Sequence, residues 1–222
     1  MTAQQLIAAF PTFNDLPLNQ SNKRTIRILR AVTQGRPRNL LLWGKYGHGK
    51  TALAELLPRL SYASQGNSSL QPNFLDCTGG LNLALLNKQQ TTWAQFFGVK
   101  EEWFILDEID KVTTKKHKNA VLGVLRPYDP PRFFILTAND LKQVHPGVPS
   151  RCDVLEIVSP TPTDYLPYAQ SRLKAEGVML ADTHMLKYLQ SVMNGDMRNV
   201  ERRIDDVVIA FNAPDPGSCV VP

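Results

Sequence analysis

Apolar residues along the chain fall into short continuous runs, separated by longer stretches where they recur every three or four positions. The runs lie in Leu40-Leu41-Leu42-Trp43, Asn73-Phe74-Leu75-Asp76-Cys77, Trp103-Phe104-Ile105-Leu106-Asp107, Phe133-Phe134-Ile135-Leu136-Thr137 and Val154-Leu155-Glu156-Ile157. A strand with one wet face alternates apolar and polar side chains, whereas one that is apolar at nearly every position needs cover on both faces. These runs therefore predict a parallel sheet sandwiched by helices, the α/β class. Between Ser21 and Val32, Ile26, Leu29 and Val32 fall near helical spacing, Lys23, Arg24, Arg27 and Arg30 take the other faces, and Gly35 and Pro37 end the element. Upstream, Phe13-Asn14-Asp15-Leu16-Pro17-Leu18 mixes turn residues with apolar anchors and predicts an ordered lead-in. Pro160-Thr161-Pro162-Thr163 predicts a boundary, beyond which three helical patterns follow, over Tyr165–Glu176, His184–Met193 and Met197–Asn212, with no strand. The expected division is an α/β domain over 1–159, a small helical domain over 160–212 and a flexible tail over 213–222.

One segment carries a specific chemistry. Gly44-Lys45-Tyr46-Gly47-His48-Gly49-Lys50-Thr51 has the form G-x-x-x-x-G-K-T, follows the first apolar run, and opens into the helical pattern Thr51-Ala52-Leu53-Ala54-Glu55-Leu56-Leu57. Glycines let the backbone approach an anion closely, so successive N–H groups can curl around phosphate oxygens. Lys50 supplies a mobile charge for the terminal phosphates, Thr51 a hydroxyl for Mg²⁺, and the helix beginning there turns its positive end toward the anion. The segment from Gly44 to Ala52 is thus expected to hold a nucleoside triphosphate.

Downstream residues gain meaning from that loop. Asp107 and Glu108 close an apolar strand, where ligands of open α/β sheets bind. Asp107 suits a metal ion, and Glu108 can orient and deprotonate a water that attacks the γ-phosphate. Asn139, after the next strand, either hydrogen-bonds the γ-phosphate and the water or forms an ordinary Asx turn; the residues leave both open. Arg151 in Ser150-Arg151-Cys152 can neutralise transition-state charge across a subunit interface or simply be solvated. The same choice applies to Arg198 in Gly195-Asp196-Met197-Arg198-Asn199, which reaches the phosphates only if its helix covers the nucleotide.

Composition narrows the class further. The 222 residues suit one nucleotide-binding domain with a small appendage. Twenty-five basic against 20 acidic residues give a net charge of +5, compatible with a polyanionic partner. Cys77, Cys152 and Cys219 share no C-x-x-C spacing and are odd in number, which predicts a reducing compartment with neither disulfide framework nor zinc site. The N-terminus lacks the basic region of a signal peptide, and no apolar run approaches the ~20 residues that span a bilayer. A soluble intracellular protein without membrane contact is expected, cytoplasmic or nucleoid-associated, or nuclear in a eukaryote.

In order, the phosphate loop, the Asp-Glu strand, the asparagine strand, Ser150-Arg151-Cys152 and Gly195-Asp196-Met197-Arg198 resemble the AAA+ ATPases, and within them the clamp-loader small subunits of replication factor C type. The resemblance runs over about residues 13 to 211, and the last two motifs are its more specific part. It implies a P-loop AAA+ fold with a helical lid, ATP and Mg²⁺ as ligands, and an oligomer, homomeric or heteromeric, with the ATP site between subunits. By carry-over, Lys50 and Thr51 resemble the Walker A pair, Asp107 and Glu108 the Walker B pair, Asn139 sensor 1 and Arg198 sensor 2. Arg151 resembles the arginine finger that completes a neighbour's site.

The resemblance also suggests partners. Lys111, Lys115, Lys116 and Lys118 follow the Asp-Glu pair where that family faces DNA, and Thr113 or Thr114 can cap the next helix so that its N–H groups add phosphate contacts. Such contacts read backbone charge rather than bases; a solvated basic turn is the other reading. Gln90-Thr91-Thr92-Trp93-Ala94-Gln95-Phe96-Phe97 has the Q-x-x-h-x-x-F-F form of a sliding-clamp-binding peptide, although Trp93, Phe96 and Phe97 also fit a buried helical face. Clamp-loader subunits usually carry a helical collar after the lid, and this sequence stops where it would start. That leaves two expectations: a truncated chain, or an oligomer held by ATPase-domain contacts alone. The expected function is ATP-driven remodelling on DNA, foremost loading of a sliding clamp. A helicase loader, a recombination ATPase or a non-hydrolysing nucleotide-binding scaffold are the alternatives.

Overall fold

Five strands form a single all-parallel sheet: β1 (Leu40–Trp43), β2 (Asn73–Asp76), β3 (Glu102–Asp107), β4 (Arg132–Ala138) and β5 (Asp153–Glu156). They were located in a computed structural model that describes residues 10, 12–66, 71–86, 101–126 and 132–212. The spatial order is β2-β3-β4-β1-β5, so β4 lies between β3 and β1 although the chain reaches it later. Register aligns the strand ends. Trp43 pairs with Ala138 and Glu156, Leu106 with Leu136, and Asp76 with Asp107.

The continuous apolar runs are explained by two cores, one on each face. Leu40, Leu42, Trp103, Ile105, Ile135 and Leu155 point to one side, Leu41, Leu75, Phe104, Leu106, Phe134 and Leu136 to the other. On the first side lie α1 (Lys23–Thr33), capped by Asn22 through Thr25 N, and α2 (Lys50–Ser64), which contributes Leu53, Leu56, Leu57 and Leu60. The second side is covered by α4 (Lys115–Val124) through Val121 and Val124, with the short α3 (Leu83–Leu86) beside it. At the far end of α2, the buried Glu101 carboxylate accepts from Ser61 Oγ at 3.1 Å, Gln65 Nε2 at 3.0 Å and Trp103 Nε1 at 2.9 Å. A buried charge with three donors is satisfied, and these bonds pin the tail of α2 to the start of β3.

After β5 the chain becomes helical, as the sequence pattern predicts: α5 (Pro162–Ala175), α6 (Asp182–Val192) and α7 (Met197–Asn212). Thr161 and Asp164 form a capping box at the start of α5 with Pro162 in its first turn, so the predicted boundary is a helix start signal. Tyr165, Tyr168, Leu173, Met185, Leu189, Val200 and Ile204 are buried in the same core as α2. The helical segment thus packs on the α1/α2 side of the sheet domain. Cys77 and Cys152 carry free thiols whose pKa burial pushes up to about 12, which makes them packing groups rather than nucleophiles. Gln90, Trp93, Phe96 and Phe97, read as a clamp-binding peptide, lie outside the described residues, as does the tail over 213–222. Among the described residues no helix is long and apolar enough to cross a membrane.

Phe134 is fully buried in the central β4 and stacks on Phe104 at 5.2 Å between ring centroids. Replacing it with alanine is expected to cost about 3–5 kcal/mol, read as a lowered urea midpoint with an unchanged slope.

Candidate active site

Because the strands are parallel and in register, everything that follows a strand emerges on one edge of the sheet. The loop after β1, the acidic pair after β3 and the asparagine after β4 therefore meet, although they are far apart in sequence. Here α2 begins, with Gly49 at its N-cap in the left-handed region. The loop is held from two sides. A Cβ on Gly44 would lie 2.3 Å from Ile157 O, and one on Gly47 would lie 2.6 Å from Asp196 Oδ1, so neither position has room for a side chain. His48 donates from Nδ1 to Ile157 O at 3.0 Å, which fixes its tautomer because a carbonyl can only accept.

Lys50 is the centre of the site. Its side chain is buried, and its ammonium donates to Gly44 O at 2.9 Å, Lys45 O at 2.9 Å and Asn139 Oδ1 at 2.8 Å. Burial pushes its pKa below the ordinary lysine range, while the carboxylates of Asp110, Asp107 and Glu108 pull it back up. Asn139 is itself oriented by Asp110, whose Oδ1 accepts from Asn139 N at 3.2 Å. The structure thus joins Lys50 to Asn139 and adds Asp110, which sequence reasoning did not single out.

A second network holds the acidic pair. Asp107 Oδ1 accepts from Thr51 Oγ1 at 2.9 Å and from Thr137 Oγ1 at 2.6 Å. Thr137 Oγ1 in turn accepts from Glu108 N at 2.9 Å, so one buried hydroxyl ties both acidic residues to β4. Glu108 has φ 55° and ψ 49°, the left-handed region that few residues other than glycine occupy. It is the one non-glycine residue with positive φ among the described residues. Thr137 holds that backbone turn. Thr51 and Asp107 present a hydroxyl and a carboxylate oxygen side by side, a donor set that fits a Mg²⁺ ion completed by phosphate oxygens and water. No group of three or more His, Cys, Asp or Glu residues among those described could hold a metal ion by protein ligands alone.

These groups open into a cleft of about 280 Å³ between the sheet edge and the helical segment. Tyr46, Gly47, His48, Gly49, Lys50, Thr51 and Ala52 line it together with Glu108, Asn139 and Arg198. Its apolar lining comes from Phe10, Leu16, Leu18, Ile157, Val158 and Met197, with Tyr165 and Glu201 among the residues around it. Such a surface suits the flat face of a nucleobase. Glu201 accepts from the Tyr165 hydroxyl and, at 3.2 Å, from that of Tyr168. None of this apolar lining was legible from a motif; the only hint was the order predicted for residues 13 to 18.

The remaining predicted residues lie elsewhere. Arg151 is exposed and is not among the residues lining the cleft; its Nη1 donates to Leu122 O in the last turns of α4 at 2.5 Å. Lys111, Lys115 and Lys116 are exposed, whereas Lys118 is engaged with Gln143 O at 2.9 Å. Of the two predicted caps for α4, Thr114 serves, accepting from His117 N at 3.3 Å.

The family model described as "ATPase family associated with various cellular activities (AAA)" matches residues 40–160. The chain is 29% identical over 174 residues to replication factor C subunit 3 of Oryza sativa, covering 76% of this chain and 47% of that protein. It is also 29% identical over 177 residues to replication factor C small subunit 1 of Pyrobaculum arsenaticum, covering 78% of this chain and 52% of that one. The chain thus spans about half the length of the curated relatives it matches. A solved structure of Thermotoga maritima RuvB carrying T158V superposes with a TM-score of 0.64 at 15% identity, over 90% of this chain and 67% of that chain. At that identity the likeness concerns the fold alone.

Thr137→Val removes the shared hydroxyl without changing the side chain's shape. It leaves Glu108 N and Asp107 Oδ1 each short of a partner and is expected to lower stability by about 1–3 kcal/mol, most of which Thr137→Ser should restore. Urea unfolding of the three proteins checks this.

Proposed function

This chain belongs to the ATPase family associated with various cellular activities and is related to replication factor C subunits, and from that premise we propose that it binds and hydrolyses Mg-ATP as a motor on DNA. The observation that carries the reading is the convergence of Lys50, Thr51, Glu108 and Asn139 on one partly apolar cleft, with Asp107 bonded to Thr51. The triphosphate lies along residues 44 to 52, with the base among Phe10, Leu16, Leu18 and Ile157. Lys50 leaves its carbonyl partners to meet the terminal phosphates, and Asn139, released with it, holds the γ-phosphate and the attacking water. Glu108 accepts the water's proton. Thr51 and Asp107 hold Mg²⁺, which neutralises phosphate charge when bound.

The sheet domain, to about residue 159, and the helical lid are the two bodies that close on the nucleotide. Arg198 serves this chain's own site from the lid. Arg151, outside that cleft, serves a neighbour's, so that turnover depends on assembly. Lys111, Lys115 and Lys116, at and just before the N-terminus of α4, contact DNA phosphates. Loading of a sliding clamp is the task this reading favours, through the kinship with replication factor C subunits.

Loss of Lys50 is expected to abolish binding of a fluorescent ATP analogue. Glu108→Gln should retain that binding and lose turnover by about a hundredfold or more; undiminished hydrolysis by that variant removes Glu108 from the role of base. Substituting Lys115 and Lys116 should lower the salt slope of DNA binding by about one for each phosphate no longer neutralised. A pull-down from the native source separates cargoes: a sliding clamp supports the favoured task, and a replicative helicase replaces it.

A further inference from the structure

Tyr46 stands in the middle of the phosphate loop with 60% of its surface exposed, although large aromatic side chains are usually well covered. Its described side-chain partner is Arg198. The guanidinium carbon lies 4.6 Å from the ring centroid, and Nη1 donates to the Tyr46 hydroxyl at 2.9 Å. The neighbouring backbone repeats the contact. Met197 N donates to Gly47 O at 3.0 Å, and Asp196 Oδ1 caps the helix by accepting from Arg198 N at 3.0 Å while filling the space beside Gly47. The first turn of α7 is thus docked on two consecutive residues of the phosphate loop, by side chains at 46 and by backbone at 47.

We infer that Tyr46 is a positioning residue that holds Arg198 at the mouth of the cleft, so that discrimination between nucleoside triphosphate and diphosphate depends on residue 46. An arginine presents five N–H donors in a rigid fork. Tyr46 engages one of them and holds the charged carbon over its ring, and both side chains line the cleft that Lys50 and Glu108 share. Glu108 and Arg198 both line that cleft, so the guanidinium shares it with the acidic residue that follows β3. A free arginine on the rim would have to be ordered when the nucleotide arrives; one held on the loop by ring and hydroxyl is already ordered, which favours binding. The inference rests on the ATPase reading of this cleft and adds a residue that the phosphate-loop motif leaves unspecified.

The test is a double-mutant cycle on the full chain, with binding of a non-hydrolysable ATP analogue and of ADP measured for each protein. Tyr46→Ala should weaken the analogue about fivefold to tenfold and leave ADP within about twofold, and Tyr46→Phe, which keeps the ring and loses the hydroxyl, should fall between. In an Arg198→Ala background, Tyr46→Ala should cost no more than about a further twofold. Because Tyr46 is exposed, melting temperatures should stay close to that of the parent. Equal losses for the analogue and ADP, or a full Tyr46→Ala loss that persists without Arg198, would overturn the inference and leave the ATPase reading standing. A parent chain that binds neither nucleotide overturns that reading itself. An Arg198→Ala protein that discriminates as well as the parent removes Arg198 from the site, and the role of Tyr46 with it.

Discussion

A buried ammonium constrains this structure more than any other single group. Lys50 is withdrawn from water and must find acceptors, and it finds them in two loop carbonyls and the Asn139 amide. Each acceptor comes from a different part of the fold logic. The carbonyls exist because the loop curls back over the start of α2, and Asn139 is within reach because β4 lies directly beside β1. The crossover order of the sheet is thus what allows a lysine at the start of a helix to be buried at all. Asp110, Asp107 and Glu108 add negative charge around it, which offsets part of its desolvation.

The second network follows from the same geometry. Thr137 is an apolar-strand position occupied by a hydroxyl, and both hydrogen bonds it makes run to the end of the neighbouring β3. Glu108 can keep its left-handed backbone because that hydroxyl receives its N–H. Sheet register, side-chain chemistry and the position of a carboxylate are therefore one arrangement seen at three scales. The helical segment completes it from the other side, through Arg198 and the apolar wall that includes Met197 and Ile157.

Much of this was legible in the sequence, for identifiable reasons. Runs such as Leu40–Trp43 and Trp103–Asp107 announce doubly covered strands, and the strand bounds differ from those runs by a residue or so. Lys50, Asp107, Glu108 and Asn139 could be expected to meet because each lies at or after the end of a strand, and in a parallel sheet those ends share one edge. Thr137 and Asp110 escaped notice because a threonine inside an apolar run reads as strand composition, and an aspartate in a short turn reads as solvated. Phe10, Leu16, Tyr165 and Glu201 escaped because they meet only through packing of segments 150 residues or so apart, which no local pattern encodes. For Arg151 the sequence left open a solvated side chain or a role at another subunit, and its bond to Leu122 O accounts for where it rests in this chain.

The glycines of the phosphate loop carry a message beyond anion binding. At Gly44 and Gly47 a methyl group would strike Ile157 O and Asp196 Oδ1, atoms that belong to the exit of β5 and the start of α7. At Gly49 it would meet nothing within 4 Å, so there the left-handed backbone alone accounts for the choice. Two of the loop's three glycines are therefore also set by how closely later segments press on the loop. Tolerance to substitution at 47 therefore gauges how closely the start of α7 presses on the loop, and a larger residue there requires the first turn of α7 to move away from it.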